Sequence, residues 1–182
     1  MDLSYEYAPN PMDENQFFLH FTGPDEIRDM KAIGECGHTP MLFEFDTNSM
    51  HYQPGNVTEI IMNRMPVATL NWHTRDRLGL VNITLEPRIQ ATMSNMAIHV
   101  PETNGRMFTS ADGVCYEWRR SPEDPRAYDL FLMPDALLGK FRHEYEDTPV
   151  GPSFAYLQFC FDHQRLLLES MLSLCINRWL DQ

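Results

Sequence analysis

The densest group of side chains able to do chemistry is Asp112-Gly113 with Tyr116, Glu117, Trp118, Arg119 and Arg120, joined by Arg126 six residues on. Arg119, Arg120 and Arg126 are the only dense basic group in the chain. Three guanidinium forks at one sheet edge are suited to holding a phosphate or carboxylate headgroup. The same residues also have a plainer reading. Asp112-Gly113 is turn chemistry, Tyr116 and Trp118 alternate inward on a strand, and Glu117 and Arg119 then point outward. A second group is Trp72-His73, followed by Arg75 and Arg77. His73 lies on the opposite face from Ala68, Leu70 and Trp72, which sets it at a rim as a ligand contact, an acid or base, or a surface histidine. A third set is Arg165, Glu169, Ser173 and Asn177, spaced four apart along one helix edge. Enclosed, those four need partners from strand side chains, or they line a polar cavity.

Familiar catalytic signatures are missing. The chain has no GxSxG elbow, no GxxxxGK phosphate loop, no HExxH and no GxGxxG. Its seven histidines include no pair at ligand spacing, so neither a metal nor a cofactor is expected. Of fourteen cations only Lys31 and Lys140 are lysines, and the formal net charge is −12. An acidic surface of that size repels nucleic-acid phosphate and anionic lipid, so neither is expected as a broad electrostatic partner. Twelve methionines, among them Met62, Met65, Met93 and Met96, fill core or line an adaptable apolar pocket.

Cys36, Cys115, Cys160 and Cys175 lie far apart with no CxxC pair. Their spacing leaves disulfide pairing open. The acidic start MDLSYEYAPNPMDEN carries no apolar leader, which favours reduced thiols and a cytoplasmic location. No transmembrane segment is expected either. The longest uncharged run near the C-terminus is Ser170 to Asn177, and a span needs roughly 18–20 apolar residues.

The elements that must position these groups are mostly short strands. Residues 1–15 read as a tail or irregular strap, and residues 16–182 as a single domain. Gln16–Thr22, Pro40–Asp46, Val67–His73 and Gly79–Leu85 alternate apolar and polar residues, and Val57–Arg64 is rich in β-branched residues. Asn104-Gly105 and Asp112-Gly113 predict two-residue hairpin turns. Arg88–Ile98 reads as one strand, and Phe154–Phe161 as a strand apolar on both faces. The count is about twelve. The last segment, 162–180, is a helix with Asp162 as its N-cap. It is apolar on nearly every side and so must be enclosed. About twelve strands leave a lumen when they close, and a helix about 10–12 Å across could fill it. A mainly β, closed antiparallel barrel around a hydrophobic C-terminal helix is therefore expected. A two-sheet sandwich with the helix on one face is the competing architecture.

That arrangement resembles the tubby-like superfamily of tubby C-terminal, phospholipid scramblase and LURP-one-related barrels. More narrowly, it resembles a fungal family of small tubby-like proteins. Thr58–Trp72 (TEIIMNRMPVATLNW), Phe108–Arg119 (FTSADGVCYEWR) and Tyr156–Trp179 carry the likeness, and the hairpin with its Tyr-x-Trp is the most specific part. The resemblance implies a twelve-stranded barrel around a central helix, with lipid handling as its functional expectation. The chain departs from the basic phosphoinositide-binding surface of tubby domains, since it has so few lysines.

The leading expectation is a non-catalytic intracellular domain that binds an apolar or lipid-like ligand or a protein partner. Arg119, Arg120, Arg126, Trp72 and His73 are its candidate ligand contacts. An enzyme of another class would isomerise or cyclise a small hydrophobic metabolite without a cofactor. It would need an apolar rim pocket containing a carboxyl or imidazole. A purely structural interaction module is the third reading. Oligomeric state is not legible.

Overall fold

The computed structural model describes residues 12, 15–47, 57–73 and 78–182. Most of the expected tail, the 48–56 loop, and Arg75 and Arg77 lie outside the described residues. The strands are β1 Phe17–Thr22, β2 Lys31–Cys36, β3 Thr39–Asp46, β4 Val57–Met62, β5 Met65–Asn71, β6 Leu80–Ile83 and β7 Ile89–Thr92. After a single 3-10 turn at Met93–Met96 come β8 Ile98–Val100, β9 Gly105–Thr109, β10 Cys115–Arg120, β11 Tyr128–Leu132, β12 Ala136–Arg142, β13 Glu146–Thr148 and β14 Gly151–Phe159. The helix α1, Gln164–Leu180, follows.

Among the described residues all fourteen strands belong to one antiparallel sheet, in the order β7-β6-β5-β4-β3-β2-β1-β14-β12-β11-β10-β9-β8, with β13 on β14. Two meanders, β1 to β7 and β8 to β12, are thus joined through β14. The strands thus form one continuous sheet and not the two separate sheets of the competing architecture. The expected closed barrel is not formed either: β7 and β8 end the sheet and do not pair with each other. The reason lies in the stretch read as one strand, Arg88–Ile98. Its middle coils into the 3-10 turn, burying Met93 and Met96, and the Met96 carbonyl accepts the Ser173 hydroxyl of α1 at 2.6 Å. That detour splits the strand into two edges. With β13, a three-residue strand that no alternation or turn signal marks, it raises about twelve strands to fourteen among the described residues.

The helix is buried over every residue from Arg165 to Asn177. At 3.6 residues per turn no face remains uncovered, so the sheet must curl around it. Its contacts confirm this from several directions. Trp118 Nε1 on β10 donates to the Ser170 carbonyl at 3.2 Å, the Cys175 thiol reaches the Ile27 carbonyl at 3.2 Å, and Trp179 packs on Trp72, just past β5, with ring centroids 5.1 Å apart. The strand pattern fits the same picture. Met41, Phe43 and Phe45 of β3 and Ala155, Leu157 and Phe159 of β14 are buried, alternating with half-exposed neighbours. Each Met, Phe or Leu side chain so buried contributes about 1.5–3 kcal/mol.

Two local expectations need correction. The N-cap is His163, not Asp162: its Nδ1 accepts the Leu166 N–H at 3.2 Å. The two-residue hairpin turn with both φ angles positive is Asn63-Arg64, at 50° and 68°, between β4 and β5. Asn63 makes this tolerable by fastening the turn to β3. Its Oδ1 accepts the Leu42 N–H at 2.8 Å and its Nδ2 donates to the Pro40 carbonyl at 3.0 Å. At Asp112-Gly113 only Gly113 is left-handed, at 81°, and Gly113 N–H meets the Ser110 carbonyl at 2.9 Å. That is a type I turn with a glycine bulge. Among the described residues no helix is long and apolar enough to cross a membrane.

Candidate functional site

The arginines singled out in the sequence do not act together, because consecutive residues on a strand face opposite ways. Arg119 lies on the outer face of β10. It donates to Glu117 through Nε at 2.9 Å, to Asp135 through Nη1 at 2.9 Å and to the Pro134 carbonyl through Nη2 at 2.5 Å, and it stacks over Phe131 at 4.1 Å. Glu117, expected to face solvent, is fully buried on that outer face. The Thr103 hydroxyl donates to it, and Gly105 packs against it where a side chain would collide.

Arg120 and Arg126 instead line a cavity of about 190 Å³ at the C-terminal end of α1, with Asp25, Tyr128, His143, Arg178 and Asp181. Arg178, in the last turn of α1, donates to Asp25 at 2.7 Å, and His143 Nε2 lies 3.3 Å from the same carboxylate. Asp181 is gripped by Arg106 Nη2 at 2.8 Å and Tyr128 Oη at 2.8 Å, with Arg120 Nε 3.7 Å away. Burial pushes the Asp181 carboxyl up, but those hydrogen bonds outweigh it and hold it below its ordinary value. Burial also depresses the His143 imidazole, Arg178 and Arg126 adding to the effect while Asp25 and Asp124 oppose it. Cations around a helix C-terminus suit its dipole. The cluster therefore serves first to fix the end of α1.

Trp72 is a core residue. Its Nε1 donates to Thr58 Oγ1 at 2.8 Å, and Thr58 continues to Thr47 at 2.8 Å, so the tryptophan ties β4, β5 and the end of β3 together. His73 is exposed beyond the end of β5, as its strand parity predicts. All four thiols are free, with Cys36 and Cys175 buried and Cys115 and Cys160 half-buried. Burial raises Cys36 to about 11 and Cys175 to about 12, so neither is a ready nucleophile at neutral pH. Among the described residues no group of three or more His, Cys, Asp or Glu comes together as a metal site.

The polar edge of α1 has the most to offer. Arg165 Nε donates to Glu169 Oε1 at 2.7 Å and Arg165 Nη1 to the Leu85 carbonyl at 2.5 Å. The Ser110 hydroxyl donates to Glu169 Oε2, and the Ala111 N–H is shared between both carboxylate oxygens at 3.3 Å. Lower down, Asn177 accepts Arg106 Nη1 at 3.1 Å and donates to the Ser173 carbonyl at 2.8 Å. Strand and hairpin partners thus meet most of this edge, and among the described residues Arg165 Nη2 is its one buried side-chain atom without a partner.

Glu169 also forms part of the wall of a cleft of about 340 Å³. The opening is the seam of the sheet: Ile83, Ile89 and Ala91 line one side, Ile98 and Thr109 the other, and Asn95 and Met96 of the 3-10 turn the end. The sequence pointed to Glu169 and Met96 separately. It gave no sign that they meet, because the seam exists only where the two ends of the curled sheet approach without pairing. Comparison of the chain with protein-family models, with curated proteins and with solved structures finds no match in any of the three.

Proposed function

We propose that this chain is a binding domain for a small, mainly apolar molecule, which enters the cleft between β7 and β8. The observation that carries the reading is the cleft itself, an aliphatic seam of Ile83, Ile89, Ala91, Met96 and Ile98 that reaches a carboxylate on the central helix. Its volume lies at the lower end of the roughly 300–1,000 Å³ usual for ligand pockets, and an apolar lining with a few fixed polar groups is their common composition. The helix buried on all faces also supports reading the curled sheet as a tubby-like barrel left open along one seam, with the ligand at its side and not at its mouth.

The mouth is a weaker candidate. Arg106, Arg120, Arg126 and Arg178 face Asp25, Asp124 and Asp181 there, which leaves a formal excess of one positive charge. An anionic headgroup would have to displace carboxylates already in place. Catalysis in the cleft is also disfavoured on geometry. Among the residues that line the cleft, no imidazole and no second carboxyl accompanies Glu169 as an acid–base partner.

Native mass spectrometry on the protein from its own host tests the reading. An apolar molecule should accompany the wild type and be lost in Ala91→Trp, which fills the cleft, while circular dichroism shows the variant folded. Retention of the molecule by the folded variant would place the binding elsewhere.

A further inference from the structure

Resting on the proposal that the seam cleft binds an apolar molecule, we infer that its ligand is a neutral alcohol, whose hydroxyl group sits against Glu169 and Arg165. A carboxylate offers about four lone-pair positions. Glu169 uses them for Arg165 Nε, Ser110 Oγ and one Ala111 N–H divided between two long contacts. The acceptor capacity is not filled, and the residue borders the cleft although only 2% of its surface is exposed. The neighbouring guanidinium has the opposite deficit. Arg165 is 6% exposed, and among the described residues its Nη2 is buried with no hydrogen-bond partner. Covalent geometry sets Nη2 beside the Nε that donates to Glu169. An orphaned donor and an under-used acceptor therefore stand side by side, and each is costly to leave unmade.

The kind of group that answers both is restricted. A hydroxyl donates one hydrogen bond and accepts others. An ammonium only donates, a carboxylate only accepts, and a hydrocarbon does neither. Charge selects in the same direction. Arg165 and Glu169 form a formally neutral pair, so an ionic ligand group would bring an uncompensated charge into an aliphatic cleft. A neutral hydroxyl adds none. The aliphatic walls of Ile83, Ile89 and Ile98 then receive the hydrocarbon part.

The test uses the full chain at pH 7 with isoleucine δ-methyl groups labelled for NMR, titrated separately with octane, 1-octanol, octylamine and octanoate. The methyl resonances of Ile83, Ile89 and Ile98 should shift with 1-octanol at a Kd roughly tenfold or more below those of the amine and the carboxylate. Glu169→Gln, judged folded by its other methyl shifts, should reduce that preference. If none of the four compounds moves these methyls, the cleft does not bind apolar molecules and the underlying proposal fails. If they bind but octane matches octanol, the polar pair is served by water and the alcohol assignment is overturned. Tighter binding of octylamine or octanoate overturns it as well.

Discussion

The pair that most shapes the interior is Arg165–Glu169, and its energetics follow from burial. Removing one partner of a buried ion pair leaves a stranded charge and costs about 3–5 kcal/mol, whereas replacing both by apolar residues of similar volume is often neutral. Glu169→Ala should therefore lower urea stability by that amount, and the double variant Arg165→Met/Glu169→Leu should recover most of it. A single variant as stable as wild type would show that the pair is already hydrated. His143 gives a pH prediction. Its imidazole is depressed below 6.5 in the folded chain, so as pH falls the unfolded state takes up the proton first. Stability from this group is complete above 6.5 and is lost as pH falls through the folded value. Asp25, Arg178, Arg126 and Asp124 are the charged groups acting on it, and none reverses the sign. Chemical denaturation as pH falls below 6.5 should show a steeper decline for wild type than for His143→Gln, which cannot titrate. At this scale the sequence was only partly informative. The four-residue spacing of Arg165, Glu169, Ser173 and Asn177 announced the buried edge. Nothing local announced that Ser110 and Ala111, some sixty positions away, would complete it. Glu117 misled for a related reason: strand parity sets it outward correctly, but the Thr103–Gly105 loop that covers it is a tertiary event.

Turns and the helix carry the next set of consequences. Arg64 holds φ at 68° without the help a glycine would give, and its conformation is imposed by Asn63, which is bonded to β3. Arg64→Gly should be neutral to about 1 kcal/mol stabilising, while Asn63→Ala should cost about 1 kcal/mol, both by thermal melt. A strong loss on Arg64→Gly would mean that the arginine side chain has a role of its own. For α1, Leu172→Ala should cost about 2–5 kcal/mol in urea denaturation, since the residue is fully buried and its cavity cannot collapse between helix and sheet. Alternation at period two identified the strands well in β1, β3 and β5, where one face meets the core. It failed at 88–98, where Met93 and Met96 are drawn under the sheet toward α1 and no dipeptide signals a break.

Across the whole molecule the sheet has two bare edges, and stability should grade away from them. Amides of β1 and β14 lie farthest from the seam and, with those of the buried α1, should exchange slowest with deuterium. Those of β7 and β8 should exchange orders of magnitude faster. Uniform protection would mean that the edges are sealed in solution. That a sheet encloses the helix was readable from two quantities, the strand count and the all-round apolar character of 166–176. That it stops one pairing short was not. Closure depends on the accumulated twist and stagger of all fourteen strands, which no window of sequence contains.

The order of elements has a further consequence for how the molecule comes into being. The helix follows every strand in the chain, so it leaves the ribosome after all of them. Until then the strands present their inner aromatic faces with nothing to cover them. Assembly must therefore wait for the late segment, and the uncovered faces leave the incomplete sheet prone to aggregation until it arrives.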